Sequence, residues 1–195
     1  ISCDVTCTEG NSDGVGLEQE TVTIPNDDPS PTVALTVGSE MLNESAPGNS
    51  TTVTATISTA SGLDVTVVLV KTGMATNAID YTLSNSIVVS VGQLTTSATL
   101  SILSDTLDEF DETVVIDIDT VTNGTEKNGL QQQIVTITDN NARSTVTLST
   151  DAPFLDEAGG TTSVRATLSA ISSHNVTVAL AKGGTATDNA DYTLP

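Results

Sequence analysis

The sequence predicts an all-β chain built of tandem antiparallel seven-stranded immunoglobulin-like β-sandwiches. Three observations support this prediction. The sequence repeats itself at an interval of 111 to 113 residues, which is the size of a sandwich domain. Apolar residues alternate with Thr and Ser in short runs, as in half-buried strands. Clusters of Gly, Asn, Pro and Asp separate the runs, and no helical periodicity lasts more than a turn.

The internal repeat divides the chain into three parts. Residues 22–33 (VTIPNDDPSPTV) match residues 135–146 (VTITDNNARSTV), and residues 53–83 match residues 164–194. We therefore predict the C-terminal part of a first repeat at 1–28, a complete repeat at 29–141, and the N-terminal half of a third repeat at 142–195. We expect the array to continue beyond both ends.

Seven strands are predicted in the complete repeat, each from its alternating apolar positions. In chain order they are A at 32–37 (Val33, Leu35, Val37), B at 51–58 (Val53, Ala55, Ile57), C at 64–71 (Val65, Val67, Leu69), an interrupted D at 79–90, E at 95–103 (Ala98, Leu100, Ile102), F at 112–121 (Val114, Ile116, Ile118) and G at 130–138 (Val135, Ile137).

The charge balance excludes several classes of function. The chain has 25 acidic and 5 basic residues, for a formal net charge of -20, so binding to nucleic acid phosphates is not expected. No apolar run approaches the roughly 18 residues of a membrane span, so we predict no direct membrane insertion in this stretch. No catalytic motif occurs, and the single imidazole, His174, is predicted to be a turn residue. An enzyme is therefore not predicted.

Chain order gathers acidic residues at one end of the predicted sandwich. If successive strands alternate in direction, the A–B, C–D and E–F connections and the end of G share one pole. That pole receives Glu44, Asp80, the run from Asp105 to Glu112, and Asp139. No Lys or Arg occurs among them, and the connections at the opposite pole are poor in acids.

Hard oxygen ligands of this kind suit calcium, which accepts six to eight oxygens in irregular geometry. Magnesium fits less well because it keeps several waters, and zinc would need His or Cys. The alternative is a set of solvated loop acids that keep the protein soluble.

The sequence resembles the Calx-beta domain family. The matching elements are MLNE (41–44) and FLDE (154–157), the stretches that end at Asp80-Tyr81 and Asp191-Tyr192, the acidic run SDTLDEFDE (104–112), and the closing VTITDNN and VTIPNDD. The resemblance covers essentially the whole chain in the same order and spacing. It implies an immunoglobulin-like sandwich that binds calcium at the pole where strand G ends.

The resemblance also implies the calcium ligands. In the complete repeat they are Glu44, Asp80, Asp105, Glu109 and Asp139, with Glu112 close by and the Leu107 carbonyl as a further candidate. In repeat three they are Glu157 and Asp191, and in repeat one Asp27 and Asp28. The sequence departs from the family's sensor members at Ser104, Asn140 and Asn141, where acids are expected, so fewer ions or weaker binding is predicted.

These observations favour a calcium-binding structural or adhesive repeat array of an extracellular or cell-surface protein, in which calcium rigidifies the inter-repeat junctions. The expected partners are neighbouring repeats of the same chain, with self-association or a surface, glycan or protein ligand as further possibilities. The alternatives are a filament- or sheath-forming assembly subunit and a calcium-sensing module of a transporter or signalling protein. Cys3 and Cys7 are predicted on a strand, roughly 13 Å apart, too far for a mutual disulfide. They are free thiols, or they bridge to other chain, or this segment is not extended.

Overall fold

The computed structural model describes residues 4–8, 19–23, 25, 27–45 and 49–194, with side chains described from residue 25 onward. Every regular element in this part of the chain is a β-strand, and it contains no helix long and apolar enough to cross a membrane. The strands are β1 (Asp4–Thr8), β2 (Gln19–Thr23), β3 (Thr32–Val37), β4 (Met41–Asn43), β5 (Ser50–Ile57), β6 (Val65–Gly73), β7 (Tyr81–Thr82), β8 (Ser86–Val89), β9 (Thr95–Ile102), β10 (Glu112–Thr122), β11 (Thr125–Glu126), β12 (Gln133–Thr138), β13 (Val146–Thr150) and β14 (Val164–Leu168).

Strands β3 to β12 form a two-layer sandwich. One sheet has the order β4-β12-β10-β6-β8 and the other has the order β11-β3-β5-β9-β7. The predicted all-β sandwich is confirmed. The buried hydrophobic core runs from Val33 to Ile137 and is aliphatic apart from Tyr81. In β5, for example, Val53, Ala55 and Ile57 are buried, because alternate side chains of a strand face the same layer.

Strand boundaries differ from the prediction in two places. Predicted strand D is two strands, β7 and β8, placed in different sheets. Predicted strand G begins at Gln133 instead of residue 130. Leu130 is 83% exposed, and the side chain of Gln131 turns inward. The Gln131 Nε2 donates to the carbonyls of Lys127 and Gly129, and its Oε1 accepts from Leu35 N at 3.4 Å.

Two short strands were not predicted, and both pair in parallel with a strand near one end of the repeat. β4 pairs with β12, and β11 pairs with β3. Their brevity explains the omission, because runs of two or three residues show no measurable alternation. β4 lies directly before Glu44 and places it beside the end of β12, where Glu44 N donates to Thr138 O at 3.1 Å.

The internal repeat is visible in the backbone. β13 and β14 pair in the register of β3 and β5: Val146 faces Leu168 as Val33 faces Ile57. Unlike their counterparts, β13 and β14 are exposed along their whole length. β1 and β2 form a separate antiparallel pair, which matches strands F and G in sequence. Cys3 lies outside the described residues. For Cys7 only the backbone is described, so the alternatives for the cysteines remain open. The predicted repeat boundaries stay predictions.

The turn after β6 requires glycine. Gly73 has φ +112°, and a Cβ there would lie 2.1 Å from Thr113 O. In the third repeat its counterpart, Gly184, has φ +107°. The close approach lets Met74 N and Ala75 N both donate to Thr113 O. This turn begins the connection that carries Asp80.

Gly73→Ala should therefore lower the free energy of unfolding by about 3 kcal/mol, because strained backbone and a steric clash act together. Gly92→Ala is the matched control. Gly92 also has positive φ (+76°), but no atom lies within 4 Å of its added Cβ, so a loss of about 1 kcal/mol is expected. Urea unfolding of both variants measures the difference. Equal losses would contradict the close approach at Gly73.

Candidate metal centre

The connections at one pole of the sandwich bring acidic side chains together. Glu44, from the connection after β4, and Asp105 and Glu109, from the connection after β9, each place a carboxylate oxygen within 4.8 Å of the other two. Asp80, Glu112 and Asp139 act electrostatically on this group or on one another. All six residues that the sequence predicts for the complete repeat therefore lie at the same pole. Their role as ligands stays a prediction.

We call Glu44, Asp105 and Glu109, together with Asp80, Glu112 and Asp139, the acidic cluster. Glu44 is its most enclosed member, with 4% of its surface exposed. The parallel pairing of β4 and β12 fixes its backbone. Asn43 Nδ2 donates to Thr138 Oγ1, and that hydroxyl donates to Leu42 O. The backbone of Glu44 is thus held beside the end of β12, directly before Asp139.

The connection after β9 is organised by carboxylates that accept backbone hydrogen bonds. Asp105 Oδ1 accepts from Leu107 N at 2.7 Å. Asp139 Oδ2 accepts from Glu109 N at 3.4 Å, and its Oδ1 accepts from Asn141 N at 3.1 Å. These bonds tie the connection to the end of β12 and present Asp105 and Glu109 on the same side.

Asp80 is presented by a tight turn. Thr76 N donates to Asp80 Oδ2 at 2.5 Å, and Asp80 N donates to Thr76 O. Ala78, inside the turn, has φ 68°. The same turn recurs in the third repeat, where Asp191 Oδ2 accepts from Thr187 N at 2.7 Å and Asn189 has φ 66°. Local sequence therefore encodes this turn.

Burial and mutual repulsion raise the pKa of the glutamates. Burial is the first cause for Glu44, followed by the charges of Asp105 and Glu109, and the pKa of Glu44 rises to about 7. Burial, then the charge of Asp80, raises the pKa of Glu112 to about 7. The pKa of Glu109 is also raised by burial and by Asp105. Carboxyl groups that crowd together without a cation hold their protons more tightly.

Among the described residues, no Lys or Arg forms an ion pair with the acidic cluster. In the part of the chain that the structure describes, the single ion pair joins Lys182 to Asp188 in the third repeat. The groups of the cluster that could bind a metal are carboxylates, which suit a hard cation such as calcium. A divalent cation at the three converging oxygens would offset the repulsion that raises these pKa values.

Predicted ligands outside the complete repeat are not gathered in this way. Asp27 and Asp28 are exposed, and Asp28 lines an open depression at the opposite pole with Pro31, Leu63 and Gly124. Glu157 and Asp191 are exposed. Among the described residues, only Glu44, Asp105 and Glu109 form a group of three or more His, Cys, Asp or Glu with converging ligand atoms.

Three polar residues that were not predicted as ligands help to build the pole. Asp111 Oδ1 accepts from Asp139 N at 3.2 Å. Asn141 Nδ2 donates to Leu107 O at 3.0 Å, so the carbonyl proposed as a further ligand already has a partner. Asp108 turns away from the acidic cluster and contacts the third repeat. The acidic run signalled Asp108 and Asp111, but sequence spacing did not reveal which way each faces.

No family model and no curated protein matches the chain. Several solved structures are similar to part of the chain. They include CBD12 from CALX1.2, with 14% identity over 56% of this chain and 46% of that one at a TM-score of 0.46. The apo form of the Calx CBD1 domain has 14% identity, over 56% of this chain and 99% of that one, at 0.44. The structural neighbours include Calx CBD domains.

The calcium binding domain CBD12 of CALX1.1 is 16% identical, over 52% of this chain and 41% of that one, at a TM-score of 0.44. The chain spans less than half the length of either CBD12 structure. A two-domain protein of unknown function from Bacteroides fragilis is 10% identical, over 65% of this chain and 57% of that one, at 0.43.

The raised pKa values predict how stability depends on pH when no divalent cation is present. The folded-state pKa of Glu44 and Glu112, about 7, exceeds the ordinary value of 4.5. The folded state therefore binds more protons than the unfolded state between these limits, and stability is lost as pH rises from about 4.5 to about 7. We expect a loss of about 1 to 3 kcal/mol across this window.

Chelator-treated protein unfolded by urea at pH 5 and pH 8 measures this loss, and Glu44→Gln should reduce it. Glu40→Gln removes an exposed carboxylate from the same connection and should leave it unchanged. A free energy of unfolding that stays constant or increases from pH 5 to pH 8 would show that the folded-state pKa values of Glu44 and Glu112 are not raised.

Proposed function

We propose that the complete repeat is a calcium-binding module of a structural or adhesive repeat array. The observation that carries the proposal is the convergence of Glu44, Asp105 and Glu109 within 4.8 Å without a pairing cation among the described residues. The sequence resemblance to the Calx-beta family points to the same pole and the same ion. We also propose that this module is non-catalytic, because the sequence contains no recognised catalytic motif.

Calcium would act by joining connections that otherwise repel one another. Glu44 follows β4, Asp80 follows β6, and Asp105 and Glu109 follow β9. An ion held by these carboxylates would stabilise the folded state, because the unfolded chain does not assemble the site. Asp139 directly follows β12, and six residues separate it from the start of β13. The proposed ion therefore lies next to the junction with the following repeat and would stiffen it.

The setting of such an array is also a proposal. Ser104, Asn140 and Asn141 stand where the family's sensor members have acids. Fewer charged ligands fit the weaker calcium sites of extracellular modules better than cytosolic sensors. We therefore propose an extracellular or cell-surface location, with neighbouring repeats as partners. A regulatory calcium sensor is the second candidate, and submicromolar affinity would favour it. Self-association into filaments is the third.

Calcium titrated into the chelator-treated chain should raise the midpoint of thermal unfolding. At a free concentration 100 times the dissociation constant, the stabilisation is about 2.7 kcal/mol, or roughly 5 to 10 °C for a chain of this size. Magnesium at the same concentration should act weakly. Calorimetry of the full chain gives both numbers.

Glu109→Gln should remove most of the calcium effect. The control, Glu126→Gln, makes the same chemical change in β11, which lies outside the acidic cluster, and should keep the effect. If calcium stabilises wild type and Glu109→Gln equally, or stabilises neither, the proposed site is wrong.

Calcium removal should also alter the junction. Trypsin cleavage after Arg143 should accelerate when chelator is added, and small-angle scattering should report a broader distribution of lengths. Glu109→Gln should behave like the chelated wild type at all calcium concentrations. A junction whose cleavage rate and length distribution ignore calcium would leave the site as a local stabiliser only.

A further inference from the structure

Asp108 lies in the same connection as Asp105 and Glu109 but serves a different contact. Its side chain is buried, with 5% exposed, although its neighbours Glu109 and Phe110 are more exposed. It is not among the converging carboxylates of the acidic cluster. Instead, it faces residues 144 and 172–174, which belong to the predicted third repeat.

The side-chain carboxylate and the backbone carbonyl of Asp108 both accept hydrogen bonds from the predicted third repeat. Its Oδ2 accepts from Ser144 N at 3.2 Å and from Ser172 Oγ at 2.9 Å. Its carbonyl oxygen accepts from Ser173 N at 3.0 Å and from Ser173 Oγ at 3.2 Å. One residue of the complete repeat thus accepts from three residues of the next.

An aromatic contact completes this surface. His174 Nδ1 lies 3.1 Å from Asp108 O. Because a carbonyl oxygen can only accept, we assign the proton to Nδ1. The imidazole also packs on Phe110, with ring centroids 3.9 Å apart and an interplanar angle of 44°. His174, predicted only as a turn residue, therefore lies at the contact between repeats.

We propose that Asp108 is the docking residue that holds the third repeat on the complete repeat. The packing of the Phe110 ring on the His174 ring adds to the same contact. Asp108 and Glu109 then divide the connection between two tasks: one binds the neighbouring repeat, and the other faces the acidic cluster. The docking contact goes beyond the proposed calcium function, because none of its hydrogen bonds involves an ion.

The electrostatic surroundings agree with this assignment. The backbone hydrogen bond from Ser144 and the hydroxyl of Ser172 lower the pKa of Asp108, and the nearby charges of His174 and Arg143 act in the same direction. The carboxylate therefore stays ionised and remains an acceptor. Charge-assisted hydrogen bonds of this kind are stronger than neutral ones.

The docking surface is specific to the third repeat. By the internal repeat, the counterparts of Ser144 and of 172–174 in the complete repeat are Pro31 and residues 61–63, which read Ser-Gly-Leu. Pro31 has no N–H, Gly62 has no hydroxyl and Leu63 has no imidazole. Most of the donors that meet Asp108 are therefore missing from the equivalent surface of the complete repeat. The donors select which repeat can follow.

The single His of the chain makes the contact directly observable. In the full chain with ¹³C-labelled His and Phe, and with excess calcium present, we expect a nuclear Overhauser effect between the rings of His174 and Phe110. The chain has 2 Phe residues, so Phe154→Leu assigns the signal. Asp108→Ala should abolish the effect and move the His174 resonances toward random-coil shifts.

Two further variants make the result decisive. Ser172→Ala removes a donor from the opposite side of the contact, far from the core of the complete repeat, and should weaken the same signal. Asp151→Ala makes the same charge change at an exposed site in the third repeat and should leave the signal intact. Backbone amide spectra of residues 32–138 confirm that each variant is folded.

Absence of the ring contact in the wild type, or its persistence in Asp108→Ala, would overturn the proposal. The ring signal reports docking and the midpoint of thermal unfolding reports calcium binding, so the two failures are distinguishable. A docked chain whose unfolding midpoint ignores calcium would overturn only the metal proposal.

Discussion

Repulsion among carboxylates at one pole is the constraint on which the rest of this structure depends. Glu44, Asp80, Asp105, Glu109, Glu112 and Asp139 come from four separate segments, and among the described residues no Lys or Arg pairs with them. The core is aliphatic apart from Tyr81 and contains no basic side chain, so it does not compensate them. The backbone and the protons of the glutamates do.

The two acidic residue types solve this problem differently. Asp80, Asp105 and Asp139 each accept backbone N–H groups in their own or a neighbouring turn, so their negative charge stabilises local structure. The glutamates Glu44, Glu109 and Glu112 have raised pKa values instead. The aspartates thus build the frame of the pole, and the glutamates are the groups whose protons a cation can displace.

Sequence alone predicted the architecture because its signals are local and repeated. Alternation located the long strands, and strand parity gathered the acidic residues at one pole without coordinates. Side-chain direction within the acidic run was beyond that reasoning. Asp108 and Glu109 are adjacent, yet the carboxylate of Asp108 contacts Ser172, whereas that of Glu109 converges with Glu44 and Asp105. Gln131 was missed because its side-chain amide bonds to the backbone of β3 at Leu35. A single inward-facing polar residue of this kind does not belong to an alternating apolar run. Likewise, β4 and β11 are too short to show a period.

The parallel pairing of β4 with β12 also affects how the complete repeat responds to a pulling force. β3 starts at the pole opposite the acidic cluster, and β12 ends beside that cluster. Pulling the chain at these two ends would slide β4 along β12, since the two strands run in the same direction. Hydrogen bonds loaded in shear share the force and break together, whereas bonds at the end of a hairpin break one after another. The three-residue β4, which shows no signal in the sequence, would therefore resist separation of the first and last strands of the repeat under load.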